Sequence, residues 1–266
     1  MRLAISHRQG IRLVLAVLLS VLAGCGSPAN RTLEETFEQV YKVQPTANVT
    51  ITNCDGTVFV YGSNVNEARV EATKRAFTRE RLKQIAINVS VQQGSISINT
   101  KLPPKRKWAL FDRSGTIDYT IVLPATANIS ELDMDAGEVF VDGMRGQTVK
   151  ARLGSGQMFD HNCFGNLMLA VDRGTLTLAY DWWEARKFSI QANITRGNAW
   201  AFLPSDAAFH LIAETGDGKI ANDFEESAKR RIKEVTKVDM LVQGGGEAGV
   251  TMHAREGNIK ILEAHP

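Results

Sequence analysis

Neither sign of charge prevails in this chain: 31 lysines and arginines stand against 29 aspartates and glutamates. So even a balance sets up no overall field that would draw the protein to nucleic acid, and nucleic acid is excluded as a first partner. Histidine is scarce. The five, His7, His161, His210, His253 and His265, show no short ligand spacing, which removes the usual zinc signatures. The only compact group of ligand types is Asp160-His161-Asn162-Cys163, and a polar turn accounts for it more simply than a metal, so no metal or other cofactor is expected. No serine sits in a nucleophile elbow, which leaves no triad to assemble. Gly244-Gly245-Gly246 has neither the helix nor the lysine that completes a phosphate cradle, and reads as linker. A long amphipathic helix pattern is also missing. What the chain does have is 44% apolar residues, enough to bury a core.

Residues 1–24 show the three parts of a secretory signal: Arg2, Arg8 and Arg12, then the apolar run Leu13 to Ala23, then a small-residue exit. The run is too short to cross a membrane as a helix. Leu22-Ala23-Gly24-Cys25 resembles the lipobox of bacterial lipoproteins, in which cleavage frees the cysteine and its thiol and amine are acylated. That resemblance implies a membrane anchor at Cys25, since each buried methylene contributes about 0.8 kcal/mol. Residues 25–33 then form the lipidated cysteine and a flexible tether, and 34–266 the folded domain. Gly26 is not the aspartate that retains many enterobacterial lipoproteins in the inner membrane, which favours the outer one. Cys54 and Cys163 remain; an extracytoplasmic site permits a disulfide, but they fall in different repeats and read as two small buried residues.

Glycines recur within short alternating segments, and eight of them share one register: Gly56, Gly94, Gly137, Gly156, Gly174, Gly197, Gly218 and Gly257. Positions seven, five and three before each glycine, and two and four after it, are apolar in 35 of 40 cases. The positions between them are apolar in only 8 of 32, so the period is two and the segments are half-buried strands. The parity changes across the glycine, as it must at a corner that keeps both flanking strands facing inward. Glycine suits the corner because positive φ costs it nothing sterically. From Gly137 to Gly218 the glycines step by 18 to 23 residues, which fits an all-β fold, a β-solenoid of roughly 20-residue rungs. Ahead of the regular run, Arg69 to Ala76 alternates like a strand, Thr78 to Gln84 makes a helical turn, and Ile85 to Asn99 reads as a hairpin turning at Gln93-Gly94. This end forms an N-terminal cap. Asn222 to Lys237 interrupts the pattern as a short helix or an outlying strand.

The repeat resembles the bacterial putative-adhesin domain family of otherwise unknown function. The likeness runs from Thr36 to Leu262 and is carried by Val49-Thr50-Ile51-Thr52-Asn53-Cys54-Asp55-Gly56-Thr57-Val58, by Leu123-Pro124, by Leu203-Pro204-Ser205-Asp206-Ala207, and by Glu214-Thr215-Gly216-Asp217-Gly218-Lys219-Ile220. It implies a β-solenoid without catalytic residues or cofactor.

Three surfaces are candidates for binding. Phe59, Phe140, Phe159 and Trp200 occupy an outward position, three after the glycine. Either a flanking strand or the cap covers them, the plainer reading, or they form an exposed aromatic strip for a partner or glycan. Trp182 and Trp183 lie in the longest connection of the central run, where they either plug the core or serve a ligand. Lys101, Lys105, Arg106 and Lys107, beside Trp108 and Arg113, form a basic loop that is either merely solvated or touches anionic lipid or acidic polysaccharide. The carboxylate pairs Asp133/Asp135 and Asp181/Glu184 are the ones a polysaccharide-acting enzyme would use. The reading that follows is a non-catalytic, lipid-anchored envelope protein with an adhesin-like or scaffold surface, its partners the membrane and a glycan or envelope protein. A polysaccharide enzyme and an envelope-stress sensor are the alternatives.

Overall fold

The computed structural model describes residues 32–103, 115–224 and 235–264. Among them the elements are β1 (Leu33–Lys42), β2 (Asn48–Ser63), β3 (Glu67–Ala76), helix α1 (Arg79–Gln84), β4 (Ala86–Gln92), β5 (Ser95–Lys101), β6 (Thr116–Pro124), β7 (Asn128–Asp142), β8 (Thr148–His161), β9 (Asn166–Ala179), β10 (Ser189–Pro204), β11 (Phe209–Asp217), β12 (Ile220–Asn222), β13 (Lys237–Val242), β14 (Gly249–Glu256) and β15 (Ile259–Ala264). The protein is all-β, as its period of two requires. The strands join in one large sheet ordered β1-β3-β6-β2-β7-β8-β9-β10-β14-β11-β13, with β5 and β4 beside the first half of β2, and β15 and β12 continuing the layers of β14 and β11.

The centre of the sheet is parallel, and its register is set by the glycines. Gly56 lies opposite Gly137, Gly137 opposite Gly156, Gly156 opposite Gly174, and Gly174 opposite Gly197. Each has φ between +122° and +137°, and a Cβ on Gly137, Gly156, Gly174 or Gly197 would run into the carbonyl oxygen of the glycine beneath it. Any other residue would both strain the backbone and push the strands apart, so the glycine column is a packing requirement. On either side of it the alternation is obeyed. In β9, Leu167, Leu169, Val171, Leu176 and Leu178 are all buried, and at about 1.5–3 kcal/mol per side chain one layer draws roughly 10 kcal/mol from burial before entropy is counted. A second set of corners stacks in the same way: Gly143 N–H donates to His161 O, Asn162 N–H to Ala179 O, and Tyr180 N–H to Phe202 O.

Five inward positions are polar in sequence, and the structure accommodates four of them. Ser130 escapes because β7 bulges there and Ile129 takes the buried place. Asn53 donates to Ile117 O at 3.0 Å and accepts from Cys54 N–H, Thr215 donates to Gly257 O at 2.7 Å, and Asn222 accepts from Phe224 N–H. Asp160 is the exception. It is fully buried between the strands of Val141 and Leu178, and neither carboxyl oxygen has a hydrogen-bond partner. The nearby polar groups are committed elsewhere: Tyr180 donates to Cys163 O at 2.7 Å, and the Cys163 thiol is directed at the carbonyls of His161 and Val141. Burial therefore pushes the Asp160 carboxyl up to about 8.

The structure departs from the sequence reading at several points. Gly94 fits the register by coincidence, since it turns the antiparallel β4–β5 hairpin and lies in no glycine column. The order of layers is not the order of the chain: Gly257, between β14 and β15, sits next to Gly197, and Gly218 lies beyond it. Cys54 is half-buried, whereas Cys163 is buried as expected, and no disulfide joins them. Thr177, expected to face water, is buried in its row between Phe159 and Trp200. The triple glycine forms a turn after β13, with Gly244 and Gly245 at positive φ. The expected strand, helical turn and hairpin of the N-terminal part are all present; Thr78 caps α1 by accepting from Arg81 N–H. Both ends of the sheet close with antiparallel strands, β3 and β1 beyond β6 at one end and β13 beyond β11 at the other.

Candidate functional site

Side chains three residues after each column glycine point away from the core, and those of β2, β7 and β8 make a ladder. Phe140 stacks on Phe159 with ring centres 5.3 Å apart and meets Phe59 edge-on at 5.9 Å and Tyr61 at 5.7 Å. All four rings are half-buried. Because Phe140 and Phe159 stack along the inter-strand direction, they cover each other's faces and leave their edges outward. Trp200, also half-buried, stands two strands from Phe159, with Thr177 between. These four predicted residues thus share one face, three of them in contact.

The ladder leads from Phe159 to His161, 6.1 Å away, and His161 opens onto a cleft of about 620 Å³ at the second set of corners. Several connections line it. The turn after β7 gives Arg145, the turn after β8 gives Asn162, the longer connection after β9 gives Trp182, and residues 62–66 and 124–126 complete the lining. His161 Nδ1 lies 2.9 Å from Asp142 and its Nε2 3.2 Å from Asp181. Asn162 clamps Asp181 twice, its amide donating to the carboxylate at 3.0 Å and its oxygen accepting the Asp181 N–H at 2.9 Å. The Asn162 hydrogen bond, helped by His161, holds the Asp181 carboxyl below its ordinary value, so it is ionised at neutral pH. Arg145 pairs with Glu184 and lies over the rings of Phe164 and Trp182.

Trp182 and Trp183, adjacent in sequence, part company here. Trp183 is the core plug: its Nε1–H donates to Ala208 O at 3.0 Å and its ring packs on Tyr180, Phe188 and Phe209. Trp182 stays 45% exposed on the wall of the cleft. The compact group Asp160-His161-Asn162-Cys163 divides at the end of β8, with Asp160 and Cys163 in the core and His161 and Asn162 at the cleft. Among the described residues no three ligand-type side chains are grouped to hold a metal. Of the carboxylate pairs, Asp133 faces Arg152, while Asp181 and Glu184 are engaged as above. Lys101 is exposed at the end of β5; Lys105, Arg106 and Lys107, like Cys25, lie outside the described residues. The residues that sequence reasoning did not assemble are Asp142, Arg145 and Asn162. Their signal was present in the repeat, since Asp142 and His161 hold the same place in consecutive layers.

No protein-family model matches the chain, and no curated protein matches it. Solved structures do. A putative cell adhesion protein from Clostridium sporogenes aligns over 86% of this chain and 100% of its own, with 15% identity and a TM-score of 0.50. A putative adhesin from Bacteroides fragilis aligns over 86% and 97% at 13% identity, with a TM-score of 0.29. What this chain shares with the Clostridium sporogenes protein is its fold.

Proposed function

We propose that this is a lipid-anchored envelope protein whose layers form a β-solenoid, and whose outer face is a non-catalytic, adhesin-like binding surface. One observation carries the reading: the Phe59–Phe140–Phe159 ladder with Tyr61 lies on the outward side of the strands, where the fold itself gains least from large rings. The parallel glycine column supports the solenoid, because each layer repeats the corner of the one below. The lipobox-like Leu22-Ala23-Gly24-Cys25 supports an anchor at Cys25, placing the surface in the bacterial envelope, at the outer membrane, with a glycan or an envelope protein as its partner.

Crosslinking in cells of the native host tests the surface. The wild-type chain should capture a partner that the Phe140→Asn/Phe159→Asn variant loses, while both unfold at nearly the same denaturant concentration. Equal capture by the two would reject the ladder as the contact.

A further inference from the structure

We infer that the cleft beside Trp182 is a saccharide subsite, selective for neutral or amine-bearing sugars over acidic ones; the inference rests on reading the chain as a binding protein. The first argument is the indole. Trp182 is 45% exposed although the neighbouring Trp183 shows that the same connection can bury a tryptophan. An indole left at the wall of a polar cleft offers a flat apolar surface to the C–H face of a pyranose.

The second argument is the polar rim. In the same cleft the carboxylate of Asp142 is held by His161, and the amide of Asn162 by Asp181, whose carboxylate also meets His161. Planar acceptors held at set positions suit the vicinal hydroxyls of a sugar, and their rigidity removes part of the ordering cost of binding.

Charge then chooses among sugars. Arg145 is the only lysine or arginine among the described residues lining the cleft, and it shares Glu184 with Arg186. Asp142 lines the cleft and Asp181 lies 3.2 Å from its His161, and with Glu184 these carboxylates outnumber Arg145 and Arg186, so a sulfate, phosphate or uronate would be repelled and an amino sugar attracted. The connection that carries Trp182 is held in place: Arg186 pairs with Glu184 at 3.0 Å and donates to Phe164 O.

The full-length protein in detergent micelles would be applied to an array of mannose, N-acetylglucosamine and glucosamine oligomers beside sulfated and uronic-acid oligomers. We expect binding of at least one neutral or amine-bearing oligomer, weakened about tenfold or more by Trp182→Ala and only partly by Trp182→Phe. Because the indole is 45% exposed and its ring contact with the core is to Phe164, the unfolding midpoint of Trp182→Ala should fall only slightly. Binding of acidic oligomers alone, of none, or of the same oligomers equally by wild type and Trp182→Ala would overturn the subsite. If the subsite fails while Phe140→Asn/Phe159→Asn still abolishes partner capture in cells, the binding-surface reading stands without it. If sugar binding depends on Trp182 but that double variant captures the partner normally, the ladder is rejected and the subsite stands.

Discussion

Asp160 makes the fold's stability depend on pH, and the dependence has an unusual sign. In the unfolded chain its carboxyl ionises near the ordinary 3.8; in the fold, burial holds the proton until about pH 8. Below pH 3.8 both states are protonated and the group costs nothing through titration. Between those values the unfolded state binds fewer protons than the folded one, so stability falls as pH rises, by up to about 1.4 kcal/mol per pH unit. Above about pH 8 the loss is complete and constant. The full gap corresponds to roughly 5–6 kcal/mol, and relaxation or entry of water around the carboxyl reduces it, so about 3–5 kcal/mol is expected by pH 8.5. Cys163 and Tyr180 do not obscure the effect, because burial raises both above their ordinary values and they stay neutral across this range. Asp160→Asn removes the titration and keeps the shape. Its buried amide has a cost of its own, about 1–3 kcal/mol, but that cost does not vary with pH. Urea unfolding of both proteins at pH 5, 7 and 8.5 isolates the term, since other titrations cancel in the difference. Because part of the loss has already occurred by pH 5, the variant should gain on the wild type by about 2–4 kcal/mol between pH 5 and 8.5. A difference that is flat with pH would refute the assignment of a buried, unpartnered carboxyl.

Three further outcomes follow from the same layers. Leu176→Asp should lose several kcal/mol in denaturant unfolding and Thr175→Asp less than about 1 kcal/mol, with Thr177→Asp between them because Thr177 is covered; equal losses would deny the two-residue period. Gly156→Ala should cost about 3 kcal/mol or more, as a Cβ there would lie closer than 3.0 Å to the Gly137 carbonyl at a φ of +133°, whereas Gly249→Ala, with nothing within 4 Å of the added carbon, should leave the thermal midpoint nearly unchanged. Cys25→Ser should yield an unprocessed or soluble product on membrane fractionation, and membrane association as firm as wild type would dismiss the anchor.

The register around Gly137, Gly156, Gly174 and Gly197 was legible in the sequence because every central strand repeats one local rule, apolar inward with a glycine in its midst. Strand β1 was not legible. Its side chains at 33, 37 and 41 are half-buried while those between are exposed, a spacing of four that belongs to neither a strand's period nor a reliable helix. The order of layers was equally hidden, since the register places Gly218 and Gly257 in columns without saying which of the two lies against Gly197. Gly94 shows the converse error: a hairpin with alternating residues satisfies the pattern with no column at all. The cleft could not be read because no stretch of chain contains it. Asp142, Asn162 and Trp182 come from three connections about 20 residues apart, and only their stacking brings them together. That one tryptophan of the 182–183 pair faces inward and the other outward follows from the path of the connection, which composition does not encode.

The antiparallel strands at the two ends decide how far this assembly can extend. A parallel in-register stack exposes, at its last layer, a template that another copy could continue, as fibrils do. Here β1 and β13 withdraw that template at the two ends of the main strand order. At one end the outermost strand is β1, which runs against its neighbour and carries Glu34, Glu35 and Glu38, the first two paired back to Arg75 and Lys74. At the other end β13 runs against β11, with Lys237 and Asp239 exposed along it. An arriving copy would meet reversed polarity and fixed charge at β1 and at β13, so these two edges work against growth of the sheet beyond one molecule by strand addition.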